Sequence, residues 1–145
     1  MDTSELRKEY LRIVTGSTGL PGFDTSVPLD VSPLPNEYYL VSNVSRTQTT
    51  LAKAPESYVT GYRKNENRVF LNVDVNVRLK KGFNSSFSVE KYVDAIIENL
   101  SSSLNPQGYY VKETKLVNMV PMNVVTDTNS IQRMVISFEH WVSKK

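Results

Sequence analysis

The sequence contains no cysteine and only one histidine. The lack of cysteine excludes thiolate nucleophiles, cysteine-ligated zinc and disulfide frameworks, and it is compatible with a reducing cytoplasm. The single histidine, His140, excludes a pair of histidine metal ligands, and a Ser-His-Asp site would have to be built around this one imidazole. No full catalytic constellation accompanies it, so we interpret His140 as a partly buried, hydrogen-bonded residue beside Trp141 with a packing role. We therefore expect no metal, no cofactor and no catalytic residue, and we predict that the protein is not an enzyme.

Net charge and long apolar runs are also scarce. Seventeen Lys and Arg residues against fifteen Asp and Glu residues give a net charge of +2, which is too small to indicate a phosphate-binding surface. No apolar run approaches the roughly 20 residues of a membrane span, and the first residues, MDTSELRKEYLRIVTG, lack the apolar core of a signal peptide. We expect a soluble protein with no membrane partner and no sequence-specific nucleic acid partner.

The length of 145 residues is that of one domain with a core of its own. We predict a single domain over residues 1–145. It divides into an N-terminal helix with a Pro/Gly-rich arm in residues 1–36 and an α+β core in residues 37–145.

The N-terminal segment predicts a short helix followed by an irregular arm. Asp2 and Glu5 fit a capping box, and apolar residues recur at helical spacing as far as Val14. Gly16 is expected to end the helix. The many prolines and glycines of Ser17–Asn36 exclude regular structure over most of that segment.

The stretch GSTGLPG, from Gly16 to Gly22, has a glycine at every third position, as some phosphate-binding loops do. A nucleotide loop follows a strand and opens a helix, and a P-loop ends in Gly-Lys-Ser/Thr. None of these conditions holds here, so we interpret the stretch as a helix stop and a turn.

The core begins with a short predicted strand, Tyr38–Ser42, and a polar loop, Val44–Ser57. Tyr58–Tyr62 predicts another short strand, and Lys64–Asn67 a turn. The clearest pattern is Arg68–Lys80, where six aliphatic residues alternate strictly with other side chains, which predicts a strand with one buried face and one face in water.

The rest of the core predicts one helix and two strands. Apolar residues at spacings of three and four predict an amphipathic helix over Ser88–Leu104. Tyr109–Val120 and Ile131–Val142 predict long strands, separated by the loop Met122–Ser130, with Pro121 breaking the ladder. The resulting fold class is α+β, a mostly antiparallel sheet with an amphipathic helix packed on one face.

Charged and aromatic side chains leave two functional alternatives open. One is a small-ligand-binding or enzymatic domain that uses Asp74, Glu139 and His140 in a pocket between helix and sheet. The simpler interpretation is that the strand carboxylates form cross-strand ion pairs. The residues considered for these pairs are Asp74, Glu113 and Glu139 as acids and Arg78, Lys112, Lys115 and Arg133 as bases.

The other alternative is a nucleic-acid-binding module that stacks bases on exposed tyrosines. Such sites also need a basic groove, and the charge of this chain is nearly balanced. Tyrosine is equally enriched at protein interfaces, which is the interpretation we favour. The tyrosines concerned are Tyr38, Tyr39, Tyr58, Tyr62, Tyr109 and Tyr110.

The order of elements resembles that of the tail terminator and tail-completion proteins of tailed bacteriophages. The resemblance covers roughly Glu37 to Val142 and rests on a short strand (EYYLVSN), a polar loop, a long alternating strand (RVFLNVDVNVRLKKG), an amphipathic helix (SVEKYVDAIIENL) and a closing strand (IQRMVISFEHWV). The shortest members of the family lack an arm like the one before Glu37. In this chain the arm would be an added segment that clasps a neighbouring subunit.

The resemblance implies a structural virion protein in the head-tail neck, or connector, assembled in the host cytoplasm. It implies a homomeric ring, hexameric or dodecameric, that joins portal or connector proteins to tail proteins, with no catalysis and with DNA passing through the ring. Three segments with few apolar residues are the expected contacts between subunits, because they cannot offset about 1–2 kcal/mol of backbone entropy per residue alone. These segments are Ser17–Asn36, Val44–Ser57 and Met122–Ser130. The contact residues expected in them are Leu20, Phe23, Arg46, Thr47, Leu51, Lys53, Met122, Val124 and Asp127.

Overall fold

The computed structural model describes residues 3–28, 35–43, 48–51, 65–80, 86–101, 104–125 and 129–145. These residues form two helices and seven strands. In chain order the elements are α1 (Ser4–Thr18), β1 (Gly22–Asp24), β2 (Glu37–Asn43), β3 (Gln48–Leu51), β4 (Asn65–Lys80), α2 (Ser86–Leu100), β5 (Tyr109–Pro121), β6 (Val124–Val125) and β7 (Asn129–Lys144).

The strands form one mixed sheet in the order β1-β2-β4-β7-β5, with β3 added to β4 and β6 added to β7. All pairings are antiparallel except that of β1 with β2, which is parallel. The predicted fold class, a mostly antiparallel α+β arrangement, is therefore confirmed. In the part of the chain described, neither helix has the length and apolar character needed to cross a bilayer.

The core lies between one face of the sheet and the two helices. Alternation along β4 puts its aliphatic residues on that face, and the five from Val69 to Val77 are fully buried, as predicted. β7 adds Ile136, Phe138 and Val142 to the same face. The side chains of the central strands thus form the floor on which the helices pack.

Helix α2 covers this face with the apolar stripe that its sequence predicts. Val89, Val93, Ile96 and Leu100 recur every three or four residues and are all buried. The predicted end at Leu104 is wrong, because the helix ends at Leu100. The hydroxyl of Ser101 donates to the carbonyl oxygens of residues 97 and 98 at 3.1 Å, a side-chain bond of the kind that competes with helix propagation.

Helix α1 lies beside α2 on the same face and also differs from its predicted boundaries. It continues through Gly16 to Thr18 and ends at Gly19, which has φ of 75° and donates its N–H to the carbonyl of Thr15 at 2.9 Å. The predicted cap, Asp2, lies outside the described residues. Thr3 is the N-cap residue, and its hydroxyl makes no capping bond to the helix.

Several short strands replace segments that were predicted to be irregular. β1 lies within the predicted arm, and β3 lies within the predicted loop Val44–Ser57. β4 begins at Asn65, inside the predicted turn Lys64–Asn67, while Lys64 and the predicted strand Tyr58–Tyr62 lie outside the described residues. Pairing to distant strands produces these elements, and a local pattern does not report such pairing.

The C-terminal hairpin is also more regular than predicted. Pro121 was predicted to break the ladder after Val120, but it is the last residue of β5 and pairs with Met134. β6 pairs with β7 inside the predicted loop Met122–Ser130, and β7 starts at Asn129. A proline is tolerated here because β5 is an edge strand, where one side of the backbone needs no ladder partner.

Candidate functional site

The structure does not bring the three proposed pocket residues together. His140 faces the helices, whereas its chain neighbour Glu139 points to the opposite face of the sheet, as alternation along β7 requires. Asp74 lies on the same side as Glu139, because it alternates with the buried valines of β4. An acid/base site that combines these three residues is therefore excluded by the sheet geometry.

His140 is buried in a hydrogen-bonded network under α1. Its Nε2 contacts the hydroxyl of Tyr10, and its Nδ1 lies 3.0 Å from the hydroxyl of Thr114 on β5. Burial lowers the pKa of His140 to about 4 and raises the pKa of Tyr10 well above its usual value. Both groups are therefore neutral at pH 7. The predicted packing role of His140 agrees with this geometry, in which Tyr10, Thr114 and the stacked ring of Phe138 surround the imidazole.

Asp74 forms a bidentate ion pair on the sheet face away from the helices. Arg133 of β7 donates from Nε at 2.9 Å and from Nη2 at 2.6 Å to the carboxylate oxygens. Asn76 donates to the same carboxylate at 3.1 Å. Asp74 and Asn76 are both buried by these contacts, so the face predicted to be in water is partly closed. The cross-strand ion pair predicted for Asp74 is confirmed.

The charge of Glu139 is balanced in the same way, by an arginine that was not predicted as its partner. Arg68 of β4 donates from Nε to the carboxylate at 2.5 Å. This hydrogen bond lowers the pKa of Glu139 below its ordinary value. The guanidinium of Arg68 also lies 5.0 Å from the ring centroid of Phe70 and 5.9 Å from that of Trp141. A carboxylate fixed as an ion here has no tendency to act as a proton donor or acceptor near neutral pH.

Three small pockets lie among the described residues. Pockets of about 150, 180 and 210 Å³ occur beside the two helices, whereas typical ligand sites have roughly 300–1,000 Å³. Among the described residues no group of three or more His, Cys, Asp or Glu side chains could hold a metal ion.

The tyrosines do not form a common stacking platform. Tyr39 is buried, and its hydroxyl lies 2.9 Å from the carbonyl oxygen of Leu11. Tyr38 is half-buried and packs edge-on against Phe23, with 6.0 Å between the ring centroids. Tyr110 is exposed, while Tyr58 and Tyr62 lie outside the described residues. Tyr39 faces the helices, whereas Tyr38 and Tyr110 lie on the other face of the sheet, in strands β2 and β5, which are not neighbours. Base stacking along a strand needs successive platforms in one groove.

Two of the three glycines of GSTGLPG have a structural role that requires glycine. Gly16 is in α1, and Gly19 ends the helix in the left-handed conformation. Gly22 lies against the ring of Tyr39, and a Cβ at this position would be 2.2 Å from Cζ of that ring. The interpretation as a helix stop and turn holds at Gly19, whereas the predicted stop at Gly16 is wrong.

The predicted subunit-contact residues fall into four groups. Leu20 is buried in the core of its own chain, so it is not available as an anchor for a neighbour. Phe23 packs on Tyr38, and Leu51 lies in β3. Met122 and Val124 are exposed beside and in β6. The remaining predicted contacts lie outside the described residues; they are Arg46, Thr47, Lys53 and Asp127.

Met122 and Val124 belong to a larger exposed apolar surface, which we call the apolar edge and define as Leu116–Val125. Its large apolar side chains are between 37% and 79% exposed. They come from the second half of β5, from β6 and from the two residues between these strands, all at the border of the sheet. The members are Leu116, Val117, Met119, Val120, Met122, Val124 and Val125.

The sequence carries a signal for this surface that strand prediction alone misses. Leu116–Val125 reads LVNMVPMNVV and contains no charged residue, whereas Lys112, Glu113 and Lys115 precede it on the same strand. Edge strands of soluble monomers are usually protected by charged side chains. An uncharged apolar run on an edge strand therefore indicates a surface that another molecule covers.

Similarity to known proteins is found in the fold of this chain and not in its sequence. No protein-family model and no curated protein sequence matches it. Among solved structures, a chain described as "Virion of native gene transfer agent (GTA) particle" matches with a TM-score of 0.62 and 12% sequence identity, over 94% of this chain and 90% of that chain. At this level of identity the likeness establishes a shared fold.

Proposed function

We propose that this chain is a structural subunit of a phage-like virion, and not an enzyme. The observation that carries the proposal is the fold it shares, over nearly the whole of both chains, with a chain from the virion of a gene transfer agent particle. A likeness of that extent involves the whole arrangement of helices and sheet and not a single common motif. Fold alone does not determine function, so the surface of this chain has to support the same conclusion.

Two features of the surface support a structural role. The carboxylates that could have served acid/base chemistry are held in ion pairs by Arg133 and Arg68. The apolar edge, Leu116–Val125, exposes side chains that favour contact with another protein. A subunit of a large assembly needs contact surfaces and no reactive groups.

Within the virion, we assign the chain to a homomeric ring in the neck, between portal or connector proteins and the tail, as a tail terminator or completion protein. The order of its elements resembles that family. A hexameric or dodecameric ring needs two different contact surfaces on each subunit, and the two borders of this sheet differ. The subunits assemble in the host cytoplasm, and the protein is then part of the virion.

Gene inactivation tests this function. In the strain that produces the particle, loss of the gene should leave DNA-filled heads and separate tails, because the ring that joins them is missing. Electron microscopy of the lysate measures the ratio of joined to separate structures. Complementation with the intact gene should restore joined particles.

A second complementation arm separates assembly from chemistry. His140→Gln should also restore joined particles, because Gln retains hydrogen-bonding groups and the proposal gives His140 no reactive role. Normal numbers of joined particles without the gene would contradict the neck assignment. Failure of a folded His140→Gln protein to complement would contradict the absence of a chemical role.

A further inference from the structure

We propose that the apolar edge, Leu116–Val125, is one half of a contact between two copies of this chain, and that it docks head to tail on the opposite border of the sheet, at β1. The inference deepens the proposed function by naming the surfaces that join neighbours in the ring. Its test uses the purified chain alone, so the contact and the virion role can fail separately.

The backbone of β5 supports a contact made by strand pairing. β5 is a border strand, and among the described residues no strand pairs with its outer side. Within the apolar edge, the N–H and C=O groups on the outer side of β5 are therefore available to a second chain. The edge from Tyr109 to Val125 is about 55 Å long at the usual rise per residue. β1 of a second copy has three residues, Gly22–Asp24, so strand pairing would use only part of this edge and the apolar side chains around it would supply the rest of the contact.

Charge divides this edge into two parts. The first half of β5 carries Lys112, Glu113 and Lys115, and the apolar edge carries no charge. Val125, at the far end, is 79% exposed in the isolated chain. Burial of these aliphatic side chains against a neighbour removes apolar area from water and so stabilises the contact.

Strand directions make β1 of a second copy a suitable partner. β5 is antiparallel to β7, β7 to β4 and β4 to β2, while β1 runs parallel to β2. β5 and β1 of one sheet therefore run in opposite directions. Two sheets related by a rotation about an axis along the strands would place β5 of one copy antiparallel to β1 of the next, the commoner pairing geometry.

The register of the sheet also aligns the two borders along the strand direction. Residues that pair across successive strands form a row, and each row links a residue of β1 to one of β5. Gly22 pairs with Tyr39, and the row continues across β4 and β7 to Pro121 of β5. Asp24 is linked in the same way to Met119. Neighbours without axial offset would thus set the apolar edge beside β1 and the half-buried ring of Phe23.

A contact between the two opposite borders leaves one free border at each end of a dimer. Further copies can therefore add at these free borders. The chain of copies closes into a ring when the rotation between neighbours divides a full turn evenly. Pairing of β5 with β5 would end at a dimer. A second copy bound at β1 is consequently the occupant that agrees with a ring.

Self-association of the purified full chain tests the apolar edge. Sedimentation should show reversible association, and Val125→Lys should weaken it at least tenfold, because a charge is placed in an apolar contact. Asp94→Asn is the control, since it raises the net charge equally on the exposed face of α2 and should associate like the unmodified chain. A chain that stays monomeric up to its solubility limit, or a Val125→Lys variant that associates normally, would overturn the proposal.

Cysteine cross-linking tests the direction of the contact, and the natural chain contributes no background thiol. Val117→Cys lies in the apolar edge, and Ser26→Cys lies just beyond β1, at a similar height. Within one copy four strand spacings, about 19 Å, separate the two borders. A short bismaleimide should give a mixed product when the two variants are combined and no product from either alone. Dimers of Val117→Cys alone, or no product at all, would overturn the head-to-tail contact.

Discussion

His140 shows how burial can make a titratable residue structural. Its side chain is fully buried, and both ring nitrogens are engaged, by the Tyr10 and Thr114 hydroxyls. The folded protein therefore keeps the imidazole neutral well below the pH at which a free histidine takes up a proton. The consequence is a dependence of stability on pH that belongs to one residue.

We predict that stability falls as the pH is lowered from 6.5 to about 4. The unfolded chain protonates His140 at its ordinary pKa of 6.5, while the folded chain does so only near 4. The unfolded state therefore binds more protons in this window, and acidification favours unfolding by up to about 3 kcal/mol. Urea denaturation at several pH values measures the slope.

His140→Gln is the control for this prediction, because the chain has no other histidine. The variant should lose the slope between pH 6.5 and 4.5 and retain the loss of stability at lower pH that Glu139 contributes. Glu139 has a lowered pKa in the fold, so its contribution disappears as the pH falls below the ordinary value of 4.5. An unchanged slope between pH 6.5 and 4.5 would assign the effect to other groups.

The sequence predicted the structural role of these polar residues better than it predicted their partners. A lone histidine without a full constellation indicated packing, and the ion pair of Asp74 with Arg133 was among those considered. The pairing of Glu139 with Arg68 was not, because register between strands 71 residues apart decides it. Tyr10 joins His140 from a helix whose packing the local pattern does not specify.

At the scale of elements, the junction between α1 and the sheet depends on a glycine. We predict that Gly22→Ala lowers the free energy of unfolding by about 1–3 kcal/mol, because the new Cβ would overlap the ring of Tyr39. That ring has little freedom to move, since its hydroxyl is bonded to Leu11 and Thr15. Chemical denaturation measures the difference.

Gly16→Ala is the matched control. Gly16 lies in α1, and a Cβ added there would have no atom within 4 Å, so alanine adds no clash and reduces the entropy of the unfolded chain. We expect a gain of about 0.5–1 kcal/mol. Equal effects of the two substitutions would show that the close approach of Gly22 to Tyr39 is not what requires glycine.

Long periodic elements were predictable, and short paired ones were not. The alternation along β4 and the helical stripe of α2 specify their buried faces directly. β1, β3 and β6 have two to four residues and exist through pairing with β2, β4 and β7. Local sequence patterns say nothing of such pairing, so these short stretches read as parts of loops.

At the scale of the whole molecule, the fold has one face closed by helices and two borders of different character. The apolar edge was predicted only in part, through Met122 and Val124. A period of two predicts a strand, but it does not reveal that the strand lies at a border with both faces open to water. The missing information is the order of strands, which follows from long-range pairing.

Electron cryomicroscopy of purified particles tests the central claim most directly. The account predicts a closed ring of identical copies of this fold at the joint between head and tail, with the apolar edge of each copy against its neighbour. The chain's absence from the particles, or its presence only as part of the capsid shell, would contradict the claim.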